Sequence, residues 1–366
     1  MGYYFLTASK DATLYLQQPN QNTGLDEILE ISKIYYGNIK DVSHALVKFD
    51  VGYISKSISD NSIGFNDATL ILRETQTNEI PLEYTIYANA LFGSWQMGTG
   101  TRFDNISTQG ATWNYREGDT KLDWLQNNFN SFTTASINNG VGGTWWTQYA
   151  ASQSFNYETS DINMDVKSML QIWMTGSVNG IVRPNDGFIL KYANADNSND
   201  VESNTEDYGV IKFFSKETHT IYQPKIRIGW DDQSYVTGSL TALTAEDIKI
   251  GINNLKKEYK LNSIAKIRIF GRELYPLKTF SNQFEYTTQK YLPQTTYYQI
   301  RDFVSNDIII PFGNYSKISC DADGNYIKLN LSNWEADRVY KIEFMIEQDG
   351  GSEYFDDNIT FSIAKN

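Results

Sequence analysis

NDGFILKY (185–192), a polar loop and YGVIKFFSKETHTIYQPKIRIGWDD (208–232) form the stretch around which the chain is organised. Three strand candidates sit in it. In the last, Lys225–Trp230, Ile226, Ile228 and Trp230 fall on one face and Lys225 and Arg227 on the other, the period-two pattern of a half-buried strand. Pro224 precedes it. A proline has no N–H to give to a ladder, so it suits the first residue of a strand or an edge. The pattern stops at Asp231-Asp232-Gln233-Ser234 and yields to the turn-rich Val236-Thr237-Gly238-Ser239. These strands read as the closing edge of one β domain, with a second unit beyond them.

Upstream, short apolar runs repeat between polar turns: DATLYLQ (11–17), HALVKFDV (44–51), ATLIL (68–72) and EYTIYA (83–88). Short strands separated by Gly, Asn and Ser are the signature of a sandwich or barrel. LDEILEI (25–31) is open to either a helix or a strand. Between Phe92 and Tyr157 the pattern fades into an expected loop insertion, 92–157, punctuated by Trp95, Trp113, Trp145 and Trp146. One helix is expected near 164–175. Val166, Met169, Leu170, Trp173 and Met174 share a face, Asp161 or Asn163 is placed to cap the start, and Gly176 the end.

From about Leu240 the strand candidates resume. They are Ile248–Ile252, 264–270, 297–300, 308–311, 326–331, 340–346 and 359–363. Their number and spacing match an immunoglobulin-like sandwich. The fold class expected is therefore all-β: two β-sandwich domains, 1–235 and 240–366, with one short helix.

Composition narrows the function. Aromatics make 14% of 366 residues and charged residues only 20%, a mix suited to strands and polar turns. The net charge of −13 argues against tracking nucleic-acid phosphates. Cys320 stands alone, so no intrachain disulfide framework exists. The N-terminal MGYYFLT lacks a basic region and a long apolar run, and no stretch approaches the ~20 apolar residues of a membrane-spanning helix. The expectation is a chain made in a cytoplasm that stays soluble there or joins a larger particle there, with no membrane insertion.

With the strands placed, residues 1–232 resemble the DNRLRE-type β-sandwich family, which is related to carbohydrate-binding modules. The resemblance is carried by DATLYLQQPNQNTGLDEILEI (11–31), HALVKFDV (44–51), SW (94–95), TW (112–113), MDVKSMLQIW (164–173), NDGFILK (185–191) and KFFSKETHTIYQPKIRI (212–228). It implies a jelly-roll, carbohydrate-binding-module-like domain. Nearly the whole chain resembles structural proteins of tailed bacteriophages of the marine and cyanobacterial kind. That likeness adds KKEYKLNSIAKIRIFGRELYPLKTF (256–280), IIIPF (308–312), ISCDADGNYIKLNL (318–331) and YFDDNITFSI (354–363). It implies a virion component in tail, neck, baseplate or capsid decoration, assembled in the host cytoplasm. Its partners would be other virion proteins, and it would be a homo-oligomer or present in many copies.

The residues themselves offer little catalysis. With only His44 and His219 available, and no HExxH, paired CxxC or P-loop pattern, no enzyme activity and no cofactor are expected. Asp321-Ala322-Asp323-Gly324-Asn325 imitates the start of a calcium loop. Its twelfth position is Ser332, however, and a hairpin turn through Asp-Gly accounts for it better. Asp231-Asp232 and Asp356-Asp357 read as solvated strand ends, with a structural calcium as the alternative. Trp95, Trp113, Trp145 and Trp146 are candidates for a contact surface or a host-surface glycan platform, their alternative being core. Arg272, Tyr275 and Phe280 form a second contact candidate. Two functions follow: a non-enzymatic virion building block, or a carbohydrate-binding or adhesion module.

Overall fold

In a computed structural model β-strand is the main regular structure of the described residues, with two short helices. These residues are 2–60, 64–78, 80–81, 83–124, 134–137, 141–156, 161–175, 177–178, 181–182, 184–193, 200–244, 247–276, 289–348 and 350–365. They form two compact units, each discontinuous in sequence. One is Leu6–Ser59 with Asp67–Arg227; the other is Met1–Phe5 with Asp60–Asn66 and Ile228–Asn366. The boundary read from the sequence, near 235–240, differs from this division. Tyr3 and Phe5 are buried in the core of the C-terminal unit, so the first residues of the chain go with its end.

The N-terminal unit is built on β1 (Gly2–Tyr15), β2 (Ile28–Tyr36), β3 (Ile39–Phe49), α1 (Gly52–Ser59), β4 (Asp67–Leu72), β5 (Glu74–Asn78) and β6 (Glu83–Leu91). Ala8–Tyr15 of β1 pairs antiparallel with β3, with a register shift between Ala8 and Lys10. The sheet then runs through Phe188–Tyr192, β6 and Val141–Asn156. On the other side β2 joins β3 to Gly209–Phe214, which also pairs with β5. Leu25–Ile31 resolves as strand from Ile28 on, because Leu29 and Ile31 pair with Phe213 and Ile211 and are buried. Lys225–Trp230 is not an edge: it lies between β4 and β1. Pro224 sits just outside it, and its carbonyl accepts the Ala8 N–H at 3.0 Å, so the missing N–H costs the ladder nothing.

β3 and Phe188–Tyr192 are buried on both faces, which explains why HALVKF and FILKY are nearly unbroken in hydrophobicity. Val47 lies opposite Phe188, and the Phe188 ring meets Trp173 of α2 (Lys167–Thr175) at 4.8 Å. Leu46 lies opposite Ile189 on the other face, in a separate core with Leu14, Leu91 and four tryptophans. α2 buries Met169, Leu170 and Trp173 as its spacing indicated. Its cap is different, because the Asp165 carboxylate accepts the Lys167 N–H at 2.9 Å. Asp161 instead holds Arg73 and the Glu74 N–H, and Asn163 lies in the strand Ile162–Asp165. Gly176 lies outside the described residues. The second helix, α1, starts behind Asp50, which accepts the Gly52 N–H at 2.9 Å. Its weak formers Gly52, Ser55 and Ser57, spread over two turns, leave too little periodicity to announce it.

Buried carboxylates make this unit sensitive to pH. Asp11 is 1% exposed, and burial pushes its pKa up to about 7 although the Lys216 N–H hydrogen-bonds it. Between about pH 4 and 7 the folded chain therefore holds a proton that the unfolded chain has released, and stability falls as pH rises through that window. Asp11→Asn is expected to remove this part of the fall. The variant should match the wild type near pH 4 and gain up to about 4 kcal/mol above pH 7.5. Urea unfolding at both pH values measures it, and parallel wild-type and variant profiles would overturn it.

The C-terminal unit packs two sheets around one core. The first runs Thr241–Ala242, Lys290–Tyr291, Ile264–Glu273, Gly324–Asn330, Ser319–Asp321, with Ile248–Ile252 also on Ile264–Glu273. The second runs Glu258–Lys260, Gly351–Ala364, Arg338–Gln348, Thr296–Asp302, Ile308–Ile310. Ile267, Ile269, Ile327 and Leu329 of one sheet meet Tyr340, Ile342, Phe361 and Ile363 of the other, with Tyr3 and Phe5. The Asp321–Gly324 pair closes a hairpin, and Gly324 takes a φ of 104° that favours glycine. Lys266 and Arg268 engage the Asp321 carboxylate and hold its pKa well below the usual range. Cys320 is buried and free, and burial raises its thiol pKa.

Candidate functional site

The tryptophans expected to reach outward do not. Trp95, Trp113, Trp145 and Trp146 are 3%, 1%, 0% and 5% exposed, so none offers a platform. Residues 92–124 fold back over the second face of the sheet, where Trp95, Trp113 and Trp124 pack with Leu46 and Ile189. Trp95 Nε1 donates to the Asp186 carbonyl at 2.8 Å, and Trp146 packs edge-on against Phe92 at 4.7 Å. The region expected as loop also contains the long strand Val141–Asn156, paired with β6. Its signal faded because Gly142–Trp146 is buried throughout, while the half-buried positions that follow are Thr147, Tyr149, Ala151 and Gln153, a mostly weakly apolar set. Gly142 and Gly143 adopt φ of 74° and 100°, and a Cβ there would strike Trp113 and Ile189.

Two polar hubs pin the insertion. Asn22 is fully buried, and its Nδ2 donates to the Met97 and Ala111 carbonyls, both at 2.8 Å. Its Oδ1 accepts the N–H groups of Gly100 and Gly24 at 2.9 and 3.2 Å. Arg102 stacks on Tyr15 at 4.1 Å and pairs with Glu30 at 2.7 Å.

The concave feature lies further along this unit. A cavity of about 620 Å³ opens between residues 200–208 and the end of the ladder that joins β6 to Val141–Asn156. On the strand side Thr85 and Tyr87 come from one face of β6, and Ser154 lies opposite Thr85 with the two hydroxyls 2.9 Å apart. The aromatic floor is Tyr84 stacked on Phe155, centroids 4.8 Å apart and planes within 11°. The other wall carries Asp200, Asn204 and Tyr208. Tyr208 lies 5.6 Å from Tyr192, whose hydroxyl donates to the Tyr208 carbonyl at 3.0 Å.

That second wall is tied down from beneath. The Tyr208 N–H donates to the Lys33 carbonyl at 2.8 Å, and the Glu202 N–H to the Ala193 carbonyl at 3.0 Å. Lys33, itself buried, reaches Asn204 Oδ1 at 3.3 Å and the Glu206 carbonyl; burial lowers its ammonium pKa. His44 holds Glu202. Its Nε2 lies 2.9 Å from Glu202 Oε1 and its Nδ1 2.7 Å from the Gly142 carbonyl. A carbonyl only accepts, so Nδ1 is the donor there. Trp113 and Trp145 enclose the ring, leaving His44 0% exposed and out of reach of a substrate. His219, by contrast, is 89% exposed beside Glu27.

None of the sequence-selected residues lines this cavity. EYTIYA gave the strand, and Thr85 and Tyr87 alternate outward in it, but the opposing wall is a polar loop with no motif. In the C-terminal unit Arg272 is half-buried on Ile264–Glu273 and Tyr275 is 77% exposed just beyond it. Phe280 lies outside the described residues.

No family model and no curated protein matches this chain. Among solved structures it is similar to a DUF4785 family protein from Legionella pneumophila subsp. pneumophila str. Philadelphia 1. The identity is 9% and the TM-score 0.21, over 100% of this chain and 62% of that one. It is also similar to the β-glucuronidase of Parabacteroides merdae at 10% identity and a TM-score of 0.16, over 82% of this chain and 29% of the enzyme. The chain thus spans less than two thirds of either protein.

Proposed function

We propose that this chain is a non-enzymatic structural protein of a tailed-bacteriophage particle, acting through protein–protein contacts. In this reading a jelly-roll-like, carbohydrate-binding-module-like sandwich is followed by an immunoglobulin-like one. The reading starts from the sequence resemblance, whose C-terminal segments fall on scaffold strands: Ile264–Glu273, the 318–331 hairpin and Gly351–Ala364. One structural observation carries the contact role. Phe303 and Val304, 53% and 75% exposed, cap the turn between Thr296–Asp302 and Ile308–Ile310, and Ile308 beside them is 44% exposed. A locally clustered apolar tip on a sheet-edge strand is what a neighbouring protein covers in an assembly.

The expected result is that mass spectrometry of purified particles finds the chain in several copies, and that a density map places the 303–308 tip against another protein. A chain absent from particles would overturn the reading. The adhesion alternative loses its tryptophan platform; what remains for it is the cavity by Tyr87.

A further inference from the structure

We infer that Lys33 and Asn204 are the two halves of an intramolecular amide cross-link, formed by the chain itself, that staples residues 200–208 to β2. The inference goes beyond the contact role proposed above and does not depend on it. A nucleophile, an electrophile and a donor for the developing negative charge meet at one point. Lys33 Nζ lies 3.3 Å from Asn204 Oδ1, which leaves the side-chain carbonyl carbon of Asn204 one bond beyond that first contact.

The surroundings favour attack by the amine. Lys33 is 0% exposed, and among the described residues its hydrogen-bond acceptors are neutral oxygens, Asn204 Oδ1 and the Glu206 carbonyl. The Tyr35 ring lies 5.4 Å away. A buried ammonium with no carboxylate in contact is costly. Burial, helped by the Lys40 charge, therefore lowers the Lys33 pKa and favours the neutral nucleophile. The electrophile is polarised in place. Asn204 Oδ1 also accepts the Glu206 N–H at 3.0 Å, a backbone donor aimed at the oxygen where charge would gather. The Asn204 side-chain amide hydrogen-bonds the Tyr208 hydroxyl, which in turn lies 3.2 Å from Glu206 Oε2.

Both partners are held. Lys33 stands in register opposite Gly209, and its carbonyl accepts the Tyr208 N–H at 2.8 Å. The turn carrying Asn204 is fixed by its own N–H on the Val201 carbonyl at 3.3 Å and by the buried contact of Glu202 with His44. Such placement turns an encounter of two free groups into one oriented step. The step balances without a co-reactant. The Nζ lone pair forms a bond to Cγ, the carbonyl pair moves onto Oδ1 and returns, and the Cγ–Nδ2 bond breaks. The proton lost by Nζ ends on Nδ2, with the Tyr208 hydroxyl in contact to relay it, and ammonia leaves.

Intact-mass spectrometry of the full chain, denatured after prolonged incubation in the folded state, tests this. The mass is expected to fall short of the sequence by one ammonia. Trypsin should fail to cut after Lys33, and the digest should contain a branched peptide joining the segments of Lys33 and Asn204. Lys33→Arg and Asn204→Ala should each restore the full mass. Asn204 is a half-buried turn residue, so Asn204→Ala is expected to keep the circular dichroism of the wild type, and its full mass then reports the missing electrophile rather than a lost fold. The inference is overturned if the wild-type mass equals that of its sequence. It is overturned equally if the ammonia loss survives Asn204→Ala, or comes without the branched peptide, as cyclisation of another asparagine would give.

Discussion

Trp145→Ala is expected to lower the stability of the chain by about 3–5 kcal/mol, the range for removing a large side chain from a closed core. Trp145 is 0% exposed, its ring meets His44 edge-on at 6.2 Å, and the buried Lys191 ammonium sits 4.5 Å above it. Truncation would leave a cavity that the surroundings cannot fill. Gly142 and Gly143 already hold the strand against Trp113 and Ile189, with no side chain of their own to move in. It would also strip the aromatic face from a buried cation, a further cost. Guanidinium unfolding followed by near-ultraviolet circular dichroism measures the loss. Trp145→Phe should recover part of it. A Trp145→Ala chain within about 1 kcal/mol of the wild type would show that the indole is not a core element. It would also return Trp145 to the contact-surface role for which it was a candidate.

Asn22→Ala should cost a comparable amount by a different route. The substitution removes four hydrogen bonds and leaves two carbonyls and two N–H groups buried around an empty site. At roughly 1–3 kcal/mol for each group left unpaired, reduced where water enters, a total of about 3–6 kcal/mol follows. Neighbouring chain cannot close in, because Gly98 and Gly110 already pack backbone to backbone. Since Asn22 ties residues 97–111 to the sheet, Trp95 and Trp113 should lose their rigid surroundings, and the emission of the folded variant should shift to the red. Asn22→Asp is expected to fall nearly as far, because a carboxylate oxygen would replace the amide that now donates to two carbonyls. Unchanged emission and a stability loss under about 1 kcal/mol would contradict this account.

What the sequence settled by itself was the pattern carried by neighbouring residues. The alternation of Ile226, Ile228 and Trp230, of Ile267 and Ile269, and of Ile327, Leu329 and Leu331 announced strands. The Met169, Leu170, Trp173 spacing announced α2, and Asp-Gly at 323–324 announced a hairpin. Strand periodicity, helical periodicity and turn chemistry act over a few residues, so they can be read off a string. The all-β class followed from them. The tertiary structure decided what lies on the second side of each strand. HALVKF and FILKY showed that they were apolar, but not that the 92–124 segment would cover their outer face with tryptophans. A glycine-flanked tryptophan has the same local signature whether it faces water or another strand; only the distant chain that covers it tells the two apart. The same reason hid the placement of Lys225–Trp230 inside a sheet, the allegiance of Tyr3 and Phe5 to the C-terminal core, and the cleft by Tyr87. Each depends on partners more than a hundred residues away, and no local period encodes them.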